Sequence, residues 1–238
     1  MAVVGSLAVT ATLAAVVIHT TQGPFGGFFG LWGPDVFVGQ SVGARFIPSD
    51  NYTLDRVKIW FMNNSATVHG TVKVTVRDDQ SIAGNSIPGN TILAQWTVNI
   101  QALGWNPVQE VFDSAGGVGL VSGVKYWVVA ESTSAASVNP VWNYASVGNT
   151  FSALTSPGGS TGLTWQPGSN GAALTLTVEG TLGLPNPADI NRDGRVDGAD
   201  LAAVLSAWGS CTNCDADVNH DQIVDGLDLT AVLSAWSP

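Results

Sequence analysis

The chain has 238 residues, is 45% hydrophobic and carries a formal net charge of −10, with 8 Lys and Arg against 18 Asp and Glu. So few cations offer no basic patch to displace counterions from a phosphate backbone, which excludes nucleic acid as a partner. Its two cysteines fall short of the four ligands that a structural zinc site needs.

Residues 1–30 are apolar and rich in Ala and Val, with Asp35 the first charge and Arg45 the first cation. The run Met1–Ile18 is too short and interrupted for a spanning helix of about 20 residues. The segment therefore reads as signal-peptide-like, and the protein as secreted or held at the cell surface. A retained apolar anchor is the other reading, and any membrane contact would then rest on this segment alone.

From 36 to 181 the texture is all-β. Strand-like runs recur at Val42–Ile47, Thr53–Met62, Thr71–Arg77, Ile92–Ile100, Val108–Phe112, Lys125–Ala130, Val138–Tyr144 and Ala173–Val178. Turn clusters separate them at Gly84-Asn85-Ser86, Pro88-Gly89-Asn90 and Ser156-Pro157-Gly158-Gly159. Many short strands with Gly, Pro and Asn punctuation predict a β-sandwich of jelly-roll type. No nucleophile, base and orienting group fall at a catalytic spacing, so a non-catalytic domain is expected. Glu131 and Asp113 are the nearest approach to a glycosidase dyad. Trp96 and Trp127 lie inside apolar strands and are assigned to packing. Trp105 and Trp165, in turn-like contexts, are the candidates for stacking on a glycan, which makes polysaccharide a second candidate partner.

Residues 182–188 contain Leu-Pro-Asn-Pro and read as a stiff linker. Beyond it, 189–238 holds a duplication. Asp189-Ile-Asn-Arg-Asp-Gly-Arg-Val-Asp-Gly-Ala-Asp200 is echoed 28 residues later by Asp217-Val-Asn-His-Asp-Gln-Ile-Val-Asp-Gly-Leu-Asp228. Calcium loops of the EF-hand type take side-chain oxygens from positions 1, 3, 5, 9 and 12 and a backbone carbonyl from position 7. Those positions are Asp189, Asn191, Asp193, Asp197 and Asp200 with the Arg195 carbonyl, then Asp217, Asn219, Asp221, Asp225 and Asp228 with the Ile223 carbonyl. Two calcium ions are expected. The second site is the weaker, because Gln222 stands where the first loop has Gly194 and must adopt positive φ. Position 12 is Asp in both loops, a shorter side chain than the usual Glu.

Each loop leads into an apolar stripe, Leu201, Val204, Leu205 and Trp208, then Leu229, Val232, Leu233 and Trp236, so loop-helix repeats are expected over 189–209 and 217–237. No helix is expected before Asp189, where Pro185 and Pro187 would break one. From Asn186 onward nine Asp face two Arg, so the carboxylates repel one another unless a cation is bound. Cys211 and Cys214 lie between the repeats without a second pair or a thioredoxin-like setting, and a local disulfide is expected.

On these loops and stripes, Asn186–Pro238 resembles a dockerin module, the calcium-dependent plug by which secreted proteins attach to cohesin receptors. The resemblance implies a small all-α unit that binds a cohesin-like or other extracellular receptor protein. It also implies that loop positions 10 and 11, here Gly198, Ala199, Gly226 and Leu227, help choose the partner. Dockerins often carry Ser-Thr there, so a different receptor stays open. The stretch Val38–Gly180 is similar to the choice-of-anchor domains of bacterial exported proteins, through Gly39–Phe46, Ile87–Ala94 and Leu120–Val129. That likeness implies a sandwich joined to a C-terminal attachment device. The combined expectation is an exported, non-catalytic protein tethered to an extracellular assembly, with a carbohydrate-binding accessory protein as the alternative.

Overall fold

The computed structural model describes residues 15–21, 23, 33–82, 84–101, 104–135, 139–146, 152–158, 162–167, 173–184, 186–191, 195–212 and 214–236. The chain divides into two compact units, Ala15–Gly183 and Leu184–Pro238.

The first unit is built from β1 (Val16–Thr20), β2 (Val42–Phe46), β3 (Tyr52–Asn63), β4 (Gly70–Ile82), β5 (Asn85–Ile100), β6 (Val108–Asp113), β7 (Gly119–Leu120), β8 (Tyr126–Ser132), β9 (Pro140–Trp142), β10 (Ser152–Gly158), β11 (Gly162–Pro167) and β12 (Thr177–Leu182). One antiparallel sheet runs β1-β12-β3-β6, with β7 and β9 also paired to β3; the other runs β11-β10-β2-β8-β4-β5. The two share one core, as in a β-sandwich. Leu54, Val57, Ile59 and Phe61 of β3, Phe112 of β6 and Val178 of β12 pack against Val42, Ala44 and Phe46 of β2, Val72, Val74 and Val76 of β4, and Val128 and Ala130 of β8. The period-2 alternation of these apolar residues is what makes strands of them.

Strand β1 corrects one expectation. Part of the 1–30 segment, read as signal-like and apart from the sandwich, is a strand of the first sheet, with Val16 opposite Gly180 and Thr20 opposite Thr177. Ile18 packs on the core, and the Thr21 hydroxyl donates to the Leu174 carbonyl at 2.8 Å. Gly180 makes this close approach feasible, since a Cβ there would lie 2.4 Å from the Thr53 carbonyl oxygen and 2.6 Å from the Ile18 side chain. The remainder of the segment, apart from Ala15, Thr21 and Gly23, lies outside the described residues.

Two predicted turns are strand. Pro88-Gly89-Asn90 lies within β5, and Ser156–Gly158 within β10, while Gly159 is outside the described residues. At the first, the β4–β5 ladder shifts register between Val76 and Arg77 and again between Arg77 and Asp79. Bulges of this kind bend a hairpin without ending it. The bent end reaches β2 and β8: a Cβ on Gly43 would meet the Pro88 ring at 3.2 Å and Trp127 at 3.3 Å. Trp127, Val129, Ala153 and Trp165 form a second small core on the outer side of this sheet. With apolar contacts on both of its faces, Tyr126–Ala130 of β8 reads in sequence as an unbroken apolar run.

The sandwich edge at β6 is blunted by Glu110, which shares the Phe112 side of the strand and stands opposite Ile59. Burial pushes its carboxyl above the usual range.

In Leu184–Pro238 the described residues form α1 (Gly198–Ser206), α2 (Gly226–Ser234) and a short ladder of β13 (Gly209–Ser210) with β14 (Ile223–Val224). The ladder means that the unit is not purely helical. Its core repeats the 28-residue interval of the sequence: Ala188 and Ala216, Ile190 and Val218, Val196 and Val224, Leu201 and Leu229, Val204 and Val232, Ala207 and Ala235. The expected helical stripes are only half buried. Val204 and Val232 are fully enclosed, whereas Leu205, Leu233, Trp208 and Trp236 are 54%, 53%, 52% and 42% exposed, and both tryptophans lie beyond the helix ends. Nine-residue helices present two turns and a half, so the i+7 tryptophans fall past the last turn, while Leu205 and Leu233 lie within the helices but outside the ridge that Val204 and Val232 bury.

Candidate metal centre

Each helix begins where its loop ends. Asp197 is the N-cap of α1 and accepts from the Ala199 N–H at 2.8 Å; Asp225 caps α2 and accepts from the Leu227 N–H at 2.7 Å. Both complete a capping box with the aspartate three residues on.

Those third residues, Asp200 and Asp228, are the hubs of the loops. Asp200 Oδ1 accepts from the N–H groups of Ile190 (2.7 Å) and Asn191 (3.1 Å), and Oδ2 from Asp197 (2.9 Å). Asp228 repeats the set with Val218 (2.8 Å), Asn219 (3.2 Å) and Asp225 (2.9 Å). Both side chains are fully buried. Each carboxylate thus ties the start of its loop to the helix that closes it.

Burial alone would raise the pKa of these two carboxyls, but donation from backbone amides, each residue's own among them, outweighs it, and both lie below the ordinary value. A depressed folded-state pKa contributes stability above the unfolded value and loses it as the pH falls through the folded one. Whatever amide protection of α1 and α2 remains in chelator, measured by hydrogen exchange, should therefore be greatest at neutral pH and decline below about 3.9. Protection that declines instead on raising the pH would contradict this sign.

The second loop is bent by its own acceptors. Asp217 takes the N–H of Asp221 on Oδ1 (3.1 Å) and of Gln222 on Oδ2 (2.8 Å). Asn219 Oδ1 accepts from the Asp221 N–H at 2.9 Å, and Asp221 Oδ1 from the Ile223 N–H at 2.9 Å. Asn219 Nδ2 donates to Asp221 Oδ2 at 3.0 Å. His220 and Gln222 have φ of 61° and 73°. Gln222 accordingly adopts the left-handed conformation that its loop position demands, at a cost of roughly 1 kcal/mol relative to glycine.

In the first loop Asp189, Asn191, Arg195, Asp197 and Asp200 are described, while Asp193 and Gly194 are outside the described residues. Among the described residues no three His, Cys, Asp or Glu side chains stand together as a metal-ligating group. The donor set nonetheless suits a hard cation, because every side-chain ligand candidate is a carboxylate or amide oxygen. A carboxylate offers about four lone-pair sites, so the amides that shape the second loop leave acceptor capacity on Asp217, Asp221, Asp225 and Asp228.

Gly198, Ala199, Gly226 and Leu227 form the exposed first turns of the two helices, with Leu227 63% exposed. Cys211 and Cys214 are joined by a disulfide with a Cα–Cα distance of 5.9 Å. The Cys211 N–H donates to the Gln222 carbonyl at 2.9 Å, and the Asp217 N–H to the Cys214 carbonyl at 3.2 Å. These contacts were not foreseeable from the cysteine spacing, because they are made by backbone and depend on how the repeats meet.

In the sandwich, the two proposed stacking residues separate. Trp105 is 46% exposed, whereas Trp165 lies on β11 opposite Thr155 and is partly buried against Trp127, Val129 and Ala153. Its turn-like context misled because Gln166 and Pro167 continue the strand. Trp96 reaches from β5 toward the other sheet, its ring 5.7 Å from Phe112 and its N–H donating to the Asp113 carbonyl at 2.8 Å. Trp127 donates its indole N–H to Asp79 Oδ1 at 2.7 Å. Glu131 and Asp113 are not brought together: Glu131 pairs with Arg77 in one sheet and Asp113 with Arg56 in the other.

No family model matches the chain, and no curated protein matches its sequence. Among the described residues no helix is long and apolar enough to cross a membrane.

Proposed function

We propose that this is an exported, non-catalytic protein attached to an extracellular or cell-surface assembly through a calcium-stabilised, dockerin-like tandem of loop-helix repeats, its sandwich of jelly-roll, choice-of-anchor type. The reading is carried by the duplicated hub, in which Asp200 and Asp228 bind equivalent backbone amides at matching distances. Such repetition of a buried carboxylate serves no purpose in a passive linker, since burying an acid costs free energy at both sites. Calcium would be held by Asp217, Asn219, Asp221, the Ile223 carbonyl, Asp225 and Asp228, and by the counterparts Asp189, Asn191, Asp193, the Arg195 carbonyl, Asp197 and Asp200. Its charge offsets the repulsion among the carboxylates. The exposed helix starts at Gly198-Ala199 and Gly226-Leu227 are then available to a receptor.

The exposure of Trp105 supports a second reading, in which the sandwich grips polysaccharide and the tail joins it to enzymes. One set of assays separates the two. With the immobilised full chain as bait in culture supernatant, a receptor should be retained in calcium, released by chelator and missed by Asp200→Ala, while Trp105→Ala captures it normally. Capture that survives chelation would refute the calcium-dependent tether. Affinity electrophoresis against a glycan panel should show retardation lost in Trp105→Ala if the second reading holds.

A further inference from the structure

We propose that the Cys211–Cys214 disulfide is a positioning element for the second calcium loop, holding Gln222 in the conformation that glycine would adopt unaided. The inference rests on the calcium reading above.

Four contacts place the disulfide turn against that loop. The Cys214 carbonyl accepts from Asp217, the loop's first residue, and the Cys211 N–H donates to Gln222, its sixth. Immediately before Cys211, Ser210 pairs with Ile223 and Gly209 with Val224, the seventh and eighth residues. Gln222 is thus tied on both sides, its N–H donating to Asp217 Oδ2 at 2.8 Å and its carbonyl accepting from Cys211 at 2.9 Å. Both cysteines also pack on the core of the unit. A side chain at φ 73° is favoured only where its surroundings over-determine it, and a cross-linked turn bonded to the same peptide does so.

The first loop supplies the internal contrast. Its sixth residue is Gly194, and the positions 28 residues before the cysteines are Gly183 and Asn186, so no cross-link is available there. The backbone bond into the loop start is kept all the same, the Asp189 N–H donating to the Asn186 carbonyl at 3.0 Å. The disulfide occurs only beside the repeat that lacks the turn glycine. Stiffening the linker in general would not require that coincidence, whereas compensating for Gln222 does.

Reduction by a dithiol tests the assignment without altering the sequence. The Sγ–Sγ bond opens, each sulfur gains one electron and one proton, and dithiothreitol gives up two of each as it closes to its own disulfide. In calcium titration calorimetry of the full chain, the oxidised protein should show two sites, with Asp221→Asn marking the second. Reduction, or the Cys211→Ser/Cys214→Ser variant, should weaken the second site about tenfold, the scale typical of lost supporting contacts around a metal, and leave the first unchanged. In Gln222→Gly the same reduction should change the second site less than about twofold, because glycine needs no clamp. Unchanged affinities on reduction, equal loss at both sites, or a full loss persisting in Gln222→Gly would each overturn the proposal. No calcium uptake in either redox state would overturn the calcium reading itself, and this inference with it.

Discussion

Replacing Asp200 by alanine in the full chain should unfold the Leu184–Pro238 unit while the sandwich keeps its own thermal transition. The side chain is fully buried and its two oxygens satisfy the backbone amides of Ile190, Asn191 and Asp197. Each amide left unpaired in the interior costs about 1–3 kcal/mol, the Asp197 amide, which is also the capping contact, among them. The unit's core consists of six fully buried small or β-branched residues, alanines and valines, with partly buried neighbours. A core of that size in about fifty residues sustains only about 3–5 kcal/mol, so the loss exceeds what is available. Asp200→Asn should fall between, since an amide oxygen still accepts from Ile190 and Asn191 while its NH2 opposes the Asp197 N–H. Hydrogen exchange resolved to α1 and α2, in saturating calcium, measures the outcome. Wild-type protection of α1 in Asp200→Ala would show that the hub is dispensable. Chelation of the unaltered chain should act in the same direction on both helices.

Within the sandwich the largest effect is expected at Trp142. It is fully buried, its ring lies 6.0 Å from Phe61, and its indole N–H donates to the Thr175 carbonyl at 2.7 Å. Truncation to alanine removes a large apolar side chain and orphans that carbonyl, and should lower the stability of the sandwich by about 3–5 kcal/mol. Trp105→Ala, at a half-exposed loop position, should stay within about 0.5 kcal/mol of the unaltered protein. Urea midpoints followed on the sandwich transition test the pair. A cost below about 1 kcal/mol for Trp142→Ala would mean that the core does not depend on this residue. The contrast also serves the glycan assay, because a variant with unchanged stability reports binding and not folding.

What could be read from the residues in order was whatever short-range geometry enforces. The strand alternation of Val72, Val74 and Val76, or of Leu54, Val57, Ile59 and Phe61 around a bulge, follows from the period of a pleated backbone. The two acidic loops were legible for the same reason, since a twelve-residue loop needs its oxygens at set spacings, and each repeat states them alone. Tertiary structure decided the rest, wherever a residue's surroundings come from far along the chain. Val16–Thr20 carries the composition of a leader and becomes a strand only because β12, about 160 residues later, lies beside it. Trp165 and Trp127 share an outer cluster because the sheet order β11-β10-β2-β8 brings together strands far apart in the chain. Leu205 and Leu233 are exposed although their spacing fits a buried stripe, since two short helices leave one apolar ridge each to enclose. The grip of the disulfide turn on Gln222 is of the same kind: spacing names the cysteines, but only the meeting of the two repeats puts their backbone against the loop.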